Sequence, residues 1–227
     1  KLSEVDDSME QKGLPMSHED LDDQIRSAAG RCRDEPHDAE AWGSLGFTLL
    51  EALVSVPGMD ALAAARDELP DDLPEGDPLL ATVVCLARAA KLDPAIGYWW
   101  GSLGFMLEDA RAAGRGAEVL AAAREELPGD LPAGDPLLAE AKCRAPAAKL
   151  DPETGTWWAD LGVTLGRART AGRGMDALAA ARDALPGDLP EGDPLLAAAE
   201  CSARAAKLDP ETGVGWGSRG VMMKEAR

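Results

Sequence analysis

WGSLG at residues 100–104 decides the fold, because it returns. The tryptophans Trp42, Trp100, Trp158 and Trp216 stand 58 residues apart, and Leu45-Gly46, Leu103-Gly104 and Leu161-Gly162 follow the first three at one offset. The fourth copy carries Arg219-Gly220 instead. Self-similarity at a fixed period marks an array of supersecondary units, each unable to bury its apolar face alone. Trp100, Leu103, Gly104 and Leu107 fall at i, i+3, i+4 and i+7, one stripe of an α-helix. A helical glycine costs up to about 1 kcal/mol against alanine. Gly46, Gly104 and Gly162 are therefore expected where a neighbouring helix presses in.

Working outward from this motif, full units span residues 36–93, 94–151 and 152–209, with partial units at 19–35 and 210–227. A polar, acidic lead-in covers 1–18. Each unit is expected to hold three helices. Helix A carries the tryptophan stripe and stops at Gly114-Arg115-Gly116 or Gly172-Arg173-Gly174, a glycine C-cap signal. The first unit has Ser55-Val56-Pro57-Gly58 there. Helix B covers 60–69, 118–127 and 176–185. It opens on an acidic residue that suits the positive helix end and closes at Leu-Pro. The loop LPDDLPEGDP at 69–78, with its copies at 127–136 and 185–194, then leads into helix C. Asp77, Asp135 and Asp193 are the expected N-caps, with proline at the first helical position. Pro146 stands where the other units have Arg88 and Arg204, and a kink or break in the second helix C is expected between 142 and 146.

The 227 residues carry a net charge of −18, which disfavours nucleic acid and anionic membrane surfaces and makes a basic partner the complementary one. Hydrophobic residues make up 45% of the chain and aromatic ones only 4%, so the core must be built mainly from Ala and Leu. No apolar run is long enough for a membrane span. Cys85, Cys143 and Cys201 share one repeat position, too far apart in stacked units for disulfide geometry. With Cys32 they read as buried thiols, which fits a reducing intracellular or organellar compartment. The chain begins with Lys1, and removal of an upstream segment is expected.

Helix A and its flanks resemble the tetratricopeptide repeat, whose signature is W-x2-L-G-x2-Y with a closing proline. The matching residues are Trp42/Leu45/Gly46, Trp100/Leu103/Gly104 and Trp158/Leu161/Gly162, followed by Ala-Lys-Leu-Asp-Pro at 90–94, 148–152 and 206–210. The period of 58 departs from the family's length of about 34. An insertion that splits the second helix accounts for the difference. The resemblance implies an all-α, right-handed α-solenoid that binds other proteins.

Catalytic and metal-binding patterns are absent from the sequence. His18 and His37 stand apart from any triad, no phosphate-binding glycine loop or CxxC occurs, and no cofactor is expected. Asp188, Glu191 and Asp193 do not follow calcium-loop spacing and are read as turn and cap residues. Trp99 and Trp157 lie beside the periodic indoles at positions held elsewhere by Ala41 and Gly215, so a partner surface is their expected role. Arg111, Arg115, Arg169 and Arg173 cluster at the A/B turns, where they offset the helix dipole or clamp an anionic peptide. The expected function is a non-catalytic protein-binding scaffold; the alternative is a structural or linker subunit of a larger assembly.

Overall fold

The computed structural model describes residues 18–55, 62–74, 76–127, 129–182, 185, 189–190 and 192–211. Trp216 and the rest of the fourth partial unit from residue 212 on lie outside them, as do the lead-in up to residue 17, Asp188 and Glu191. Nine α-helices form among the described residues: α1 (His18–Asp34), α2 (Ala39–Ser55), α3 (Pro78–Leu92), α4 (Gly97–Ala112), α5 (Gly116–Glu126), α6 (Pro136–Leu150), α7 (Gly155–Thr170), α8 (Gly174–Ala181) and α9 (Pro194–Leu208). They pack in antiparallel pairs of sequential neighbours, as a helical array does. Helix A of each unit pairs with its own helix C, as α2 with α3, α4 with α6 and α7 with α9. Helix C then meets helix A of the next unit, as α3 with α4 and α6 with α7. Helix B packs back onto helix C of the preceding unit, α5 on α3 and α8 on α6. The leading helix α1 takes the place of a helix C, since α2 and the following 3-10 turn both rest on it.

The repeat motif is a small set of local bonds. Each periodic indole donates Nε1–H to the carbonyl of the proline six residues earlier: Trp42 to Pro36 at 2.9 Å, Trp100 to Pro94 at 3.2 Å and Trp158 to Pro152 at 2.9 Å. The stripe glycines take the pressure of helix C. A Cβ on Gly46 would lie 3.0 Å from Leu86, one on Gly104 2.9 Å from Arg144, and one on Gly162 3.1 Å from the Ala198 carbonyl. Helix A ends in a Schellman turn: Gly114 has φ 79°, its N–H reaches the Arg111 carbonyl, and the Arg115 N–H reaches that of Ala110. Gly172 and Arg173 repeat the same bonds in the third unit. Asp77, Asp135 and Asp193 each accept the N–H groups two and three residues on, with proline at the first helical position.

Two expectations are corrected. The first unit has no α-helical helix B among the described residues, only a 3-10 turn at Ala63–Ala65. That unit lacks both the glycine turn and the arginine that, in the other two, place helix B. Further on, the break expected near Pro146 does not form: α6 runs continuously from Pro136 to Leu150 with Pro146 inside it. Proline deletes one backbone donor there, and the packing of α4, α7 and α8 along α6 carries the helix through.

Candidate partner-binding face

Aromatic side chains from three successive A helices form a ladder. Phe47 of α2 stacks on Tyr98 of α4, with centroids 4.6 Å apart and planes at 25°. Tyr98 meets Trp99 at 5.8 Å and, edge-on, Trp157 of α7 at 6.0 Å. Offset and edge-to-face pairs of this kind are favoured by the ring quadrupole. The ladder has an inner and an outer row. Trp99 is only 8% exposed and Trp157 half-buried, whereas Tyr98 is 49%, Phe105 44% and Val54 68% exposed. An open groove of about 520 Å³ runs along the outer row, lined by Phe47, Leu50, Glu51, Val54, Ser55, Tyr98 and Phe105. Among its described lining residues, Glu51 is the one acidic side chain.

The expected site residues therefore divide. Trp99 does not face solvent: its ring fills the space over Gly43, where a Cβ would lie 2.3 Å from it, and its Nε1 is buried without a hydrogen-bond partner. Trp157 lies likewise on Gly101, with its Nε1 donating to Asp151 at 3.3 Å. These indoles lock each A helix to the next, so they are not dispensable to the array. Three of the four arginines are engaged within the chain. Arg115 pairs with Asp77 of the preceding unit and with Glu118 at 2.8 Å. Arg173 repeats this with Asp135 at 2.5 Å and Asp176 at 2.7 Å. Arg111 pairs with Glu140 at 2.5 Å. Arg169 is exposed in the last turn of α7. Straps between units, rather than an open anionic-peptide clamp, account for Arg115 and Arg173.

Beside the ladder lies a charged cluster that the repeat pattern does not announce. Arg144 of α6 is 1% exposed. It donates to the Asp160 carbonyl at 2.9 Å, to Thr164 Oγ1 at 2.6 Å and to Glu108, which also pairs with Arg167. Burial pushes the carboxyls of Glu140 and Asp160 above their ordinary range, against nearby arginines. Burial acts on Glu108 the same way, but hydrogen bonds and charge from Arg167 and Arg144 outweigh it and hold that carboxyl low. Arg88, by contrast, ties the first unit to the second: it stacks over Trp42 at 4.6 Å and joins Asp72 of its own unit to Glu126 of the next, each at 2.7 Å. Arg204 stacks on Trp158 at 4.8 Å, and Pro146 holds the corresponding place in the second unit. His37 lines an open cleft of about 550 Å³ beside Arg88, whose cation is already paired within the chain.

Sequence reasoning missed Phe47, Phe105 and Tyr98, and the Glu108, Arg144 and Arg167 cluster. The first pair carries a signal: an aromatic directly follows Leu-Gly in units one and two. The cluster's signal is a mismatch between copies, with Glu108 and Arg144 where the first unit has Leu50 and Leu86. No protein-family model matches the chain, and a search of curated proteins finds no relative of it. No helix among the described residues is long and apolar enough to cross a membrane.

Proposed function

We propose that the chain is a non-catalytic scaffold, a right-handed α-solenoid of tetratricopeptide-like units that binds a partner protein through its A helices. The observation that carries this is the exposed outer row of Tyr98, Phe105 and Val54, with the half-buried Phe47 beside it, along one groove. Contiguous exposed aromatic surface beside a polar rim is characteristic of interaction sites. The inserted helices α5 and α8 pack on the C helices and leave this row open. Glu51 at the rim and the net charge of −18 favour a segment that sets apolar side chains next to lysine or arginine. The non-catalytic reading is supported by the state of the reactive groups. Burial pushes the Cys32 thiol up to about 12 and raises Cys85 and Cys143 likewise, so none of these supplies a thiolate at neutral pH.

Affinity capture from the native source, with Tyr98→Ser and Phe105→Ser variants beside the unaltered chain, tests this. Both side chains are half exposed, so the fold should survive the change, and partner recovery should drop at least about tenfold for a hot-spot aromatic. Undiminished recovery by both would overturn the groove as the binding site and favour a structural subunit that contacts its neighbours elsewhere.

A further inference from the structure

The groove between α2 and α4 constrains what can lie in it. Its α2 wall is Phe47, Leu50 and Val54, at i, i+3 and i+7, and its α4 wall is Tyr98 and Phe105, again at i and i+7. A span of that kind is about 10.5 Å, two helical turns. The Phe47–Tyr98 stack joins the two walls. Both walls are α-helical, so the main-chain groups along them are spent within α2 and α4. The exception is the last turn of α2, whose carbonyls have no intrahelical partner.

We propose that the partner segment held in this groove is an amphipathic helix of two turns or more, with apolar side chains on one face and a lysine or arginine at the end that meets Glu51 and Ser55. The inference rests on the groove being the binding site and specifies the conformation of what binds there. An extended segment laid along the groove would bring about three residues, each with an N–H and a C=O, against the walls. Between its ends the lining meets them with methyls and rings; the polar side chains are Tyr98, Glu51 and Ser55. Main-chain groups buried there without partners are costly. A helix satisfies its own main chain and presents only side chains. An apolar stripe at i, i+3 or i+4 and i+7 matches the two-turn spacing of Tyr98 and Phe105 and of Phe47 and Val54.

Charge sets the end at which the guest's cation lies. α4 carries Arg111 in its last turn and α7 carries Arg167 and Arg169, whereas α2 has no basic residue there. The negative end of the α2 dipole is thus left without a cation from its own last turn, and exposed Glu51, one turn back, adds a full negative charge. A lysine or arginine on the guest meets both at once. The net charge of −18 draws a basic segment to the chain in the first place.

Fluorescence anisotropy on the full chain at physiological salt, with two labelled synthetic peptides, tests the proposal. The first is an alanine- and lysine-rich helix former with leucines at i, i+3, i+4 and i+7. The second differs by one central alanine changed to proline, which breaks the helix and keeps the leucines and the charge. The helical peptide should bind at least about tenfold tighter than the proline version. Phe105→Ser and Val54→Asp should each remove that preference; Val54 is 68% exposed, so its replacement spares the core. Glu51→Lys should weaken the helical peptide and favour a version with glutamate in place of its lysines. A proline version that binds equally well or better, and is still weakened by the groove variants, overturns the helix and leaves the groove standing. Binding that the groove variants leave unchanged overturns the groove as well. Binding of neither peptide overturns the helical occupant, while the capture experiment still decides the groove.

Discussion

At the scale of single residues, the units are joined by shape as much as by chemistry. The indole of Trp99 lies where any side chain on Gly43 would be, and Trp157 does the same at Gly101. The sequence carries the same rule in its third register: position 159 is alanine, and position 215, where the indole would fall, is glycine. Gly43→Ala gains helix propensity of about 1 kcal/mol yet must displace a buried ring, and overpacking costs typically about 1–3 kcal/mol. We expect a net loss of up to about 2 kcal/mol in urea denaturation from these opposed terms. In a double-mutant cycle with Trp99→Gly that loss should vanish; additive losses would show that the ring does not seat on Gly43. The pairing was not legible beforehand because Trp99 and Gly43 are remote in sequence and only the stacking of α2 and α4 brings them together. The bond from Trp100 to Pro94, six residues away, was already implicit in the constant proline-to-tryptophan spacing.

At the scale of the helix, two positions show how ends and interiors differ. The Asp-Pro start of each helix C behaves as its sequence implies, and Asp77 also holds Arg115 of the next unit. Burial works to raise the Asp77 carboxyl, but the Arg115 hydrogen bond and the N–H groups of Leu79 and Leu80 outweigh it and hold the carboxyl below its ordinary value. A depressed carboxyl contributes stability above its unfolded value of about 3.9, and that stability is lost as pH falls through the folded one. Asn caps as well as Asp, so Asp77→Asn keeps the cap and removes the charged strap. The half-exposed pair should cost about 0.2–1 kcal/mol at pH 7. The cost should fade as the pH of the denaturation series drops below the carboxylate range; a loss of equal size at low pH would assign it to the cap. Pro146 is the opposite case, a residue whose local rule fails. The helix passes through it, so the missing bond to the Lys142 carbonyl is a cost carried in the folded state. Pro146→Ala is expected to raise the stability by about 1–3 kcal/mol, since an interior proline costs about 3 kcal/mol. A variant no more stable than the parent would show that the helix has already relaxed around the ring.

At the scale of the whole molecule, Cys32, Cys85, Cys143 and Cys201 are all buried and free. Burial raises the first three thiols, so thiolate character and access are both low. A chromogenic thiol reagent should find four groups per chain in denaturant and react with the native chain only at the rate of its openings. Fewer than four after denaturation without reductant would reveal a disulfide. What the sequence by itself determined is the period, the helix ends and the residues of the repeat stripe, because each rests on bonds between residues a few positions apart. Only the tertiary structure decided which unit keeps helix B. LAAAR occurs at 62–66 and at 178–182, yet Ala63–Ala65 is a 3-10 turn and Ala179 to Ala181 belong to α8. It also decided which tryptophans are buried, and that Glu108 meets Arg167 from 59 residues away. Such pairings depend on how one unit is set against the next, and that setting comes from side chains on several helices at once, so no single stretch of the chain encodes it.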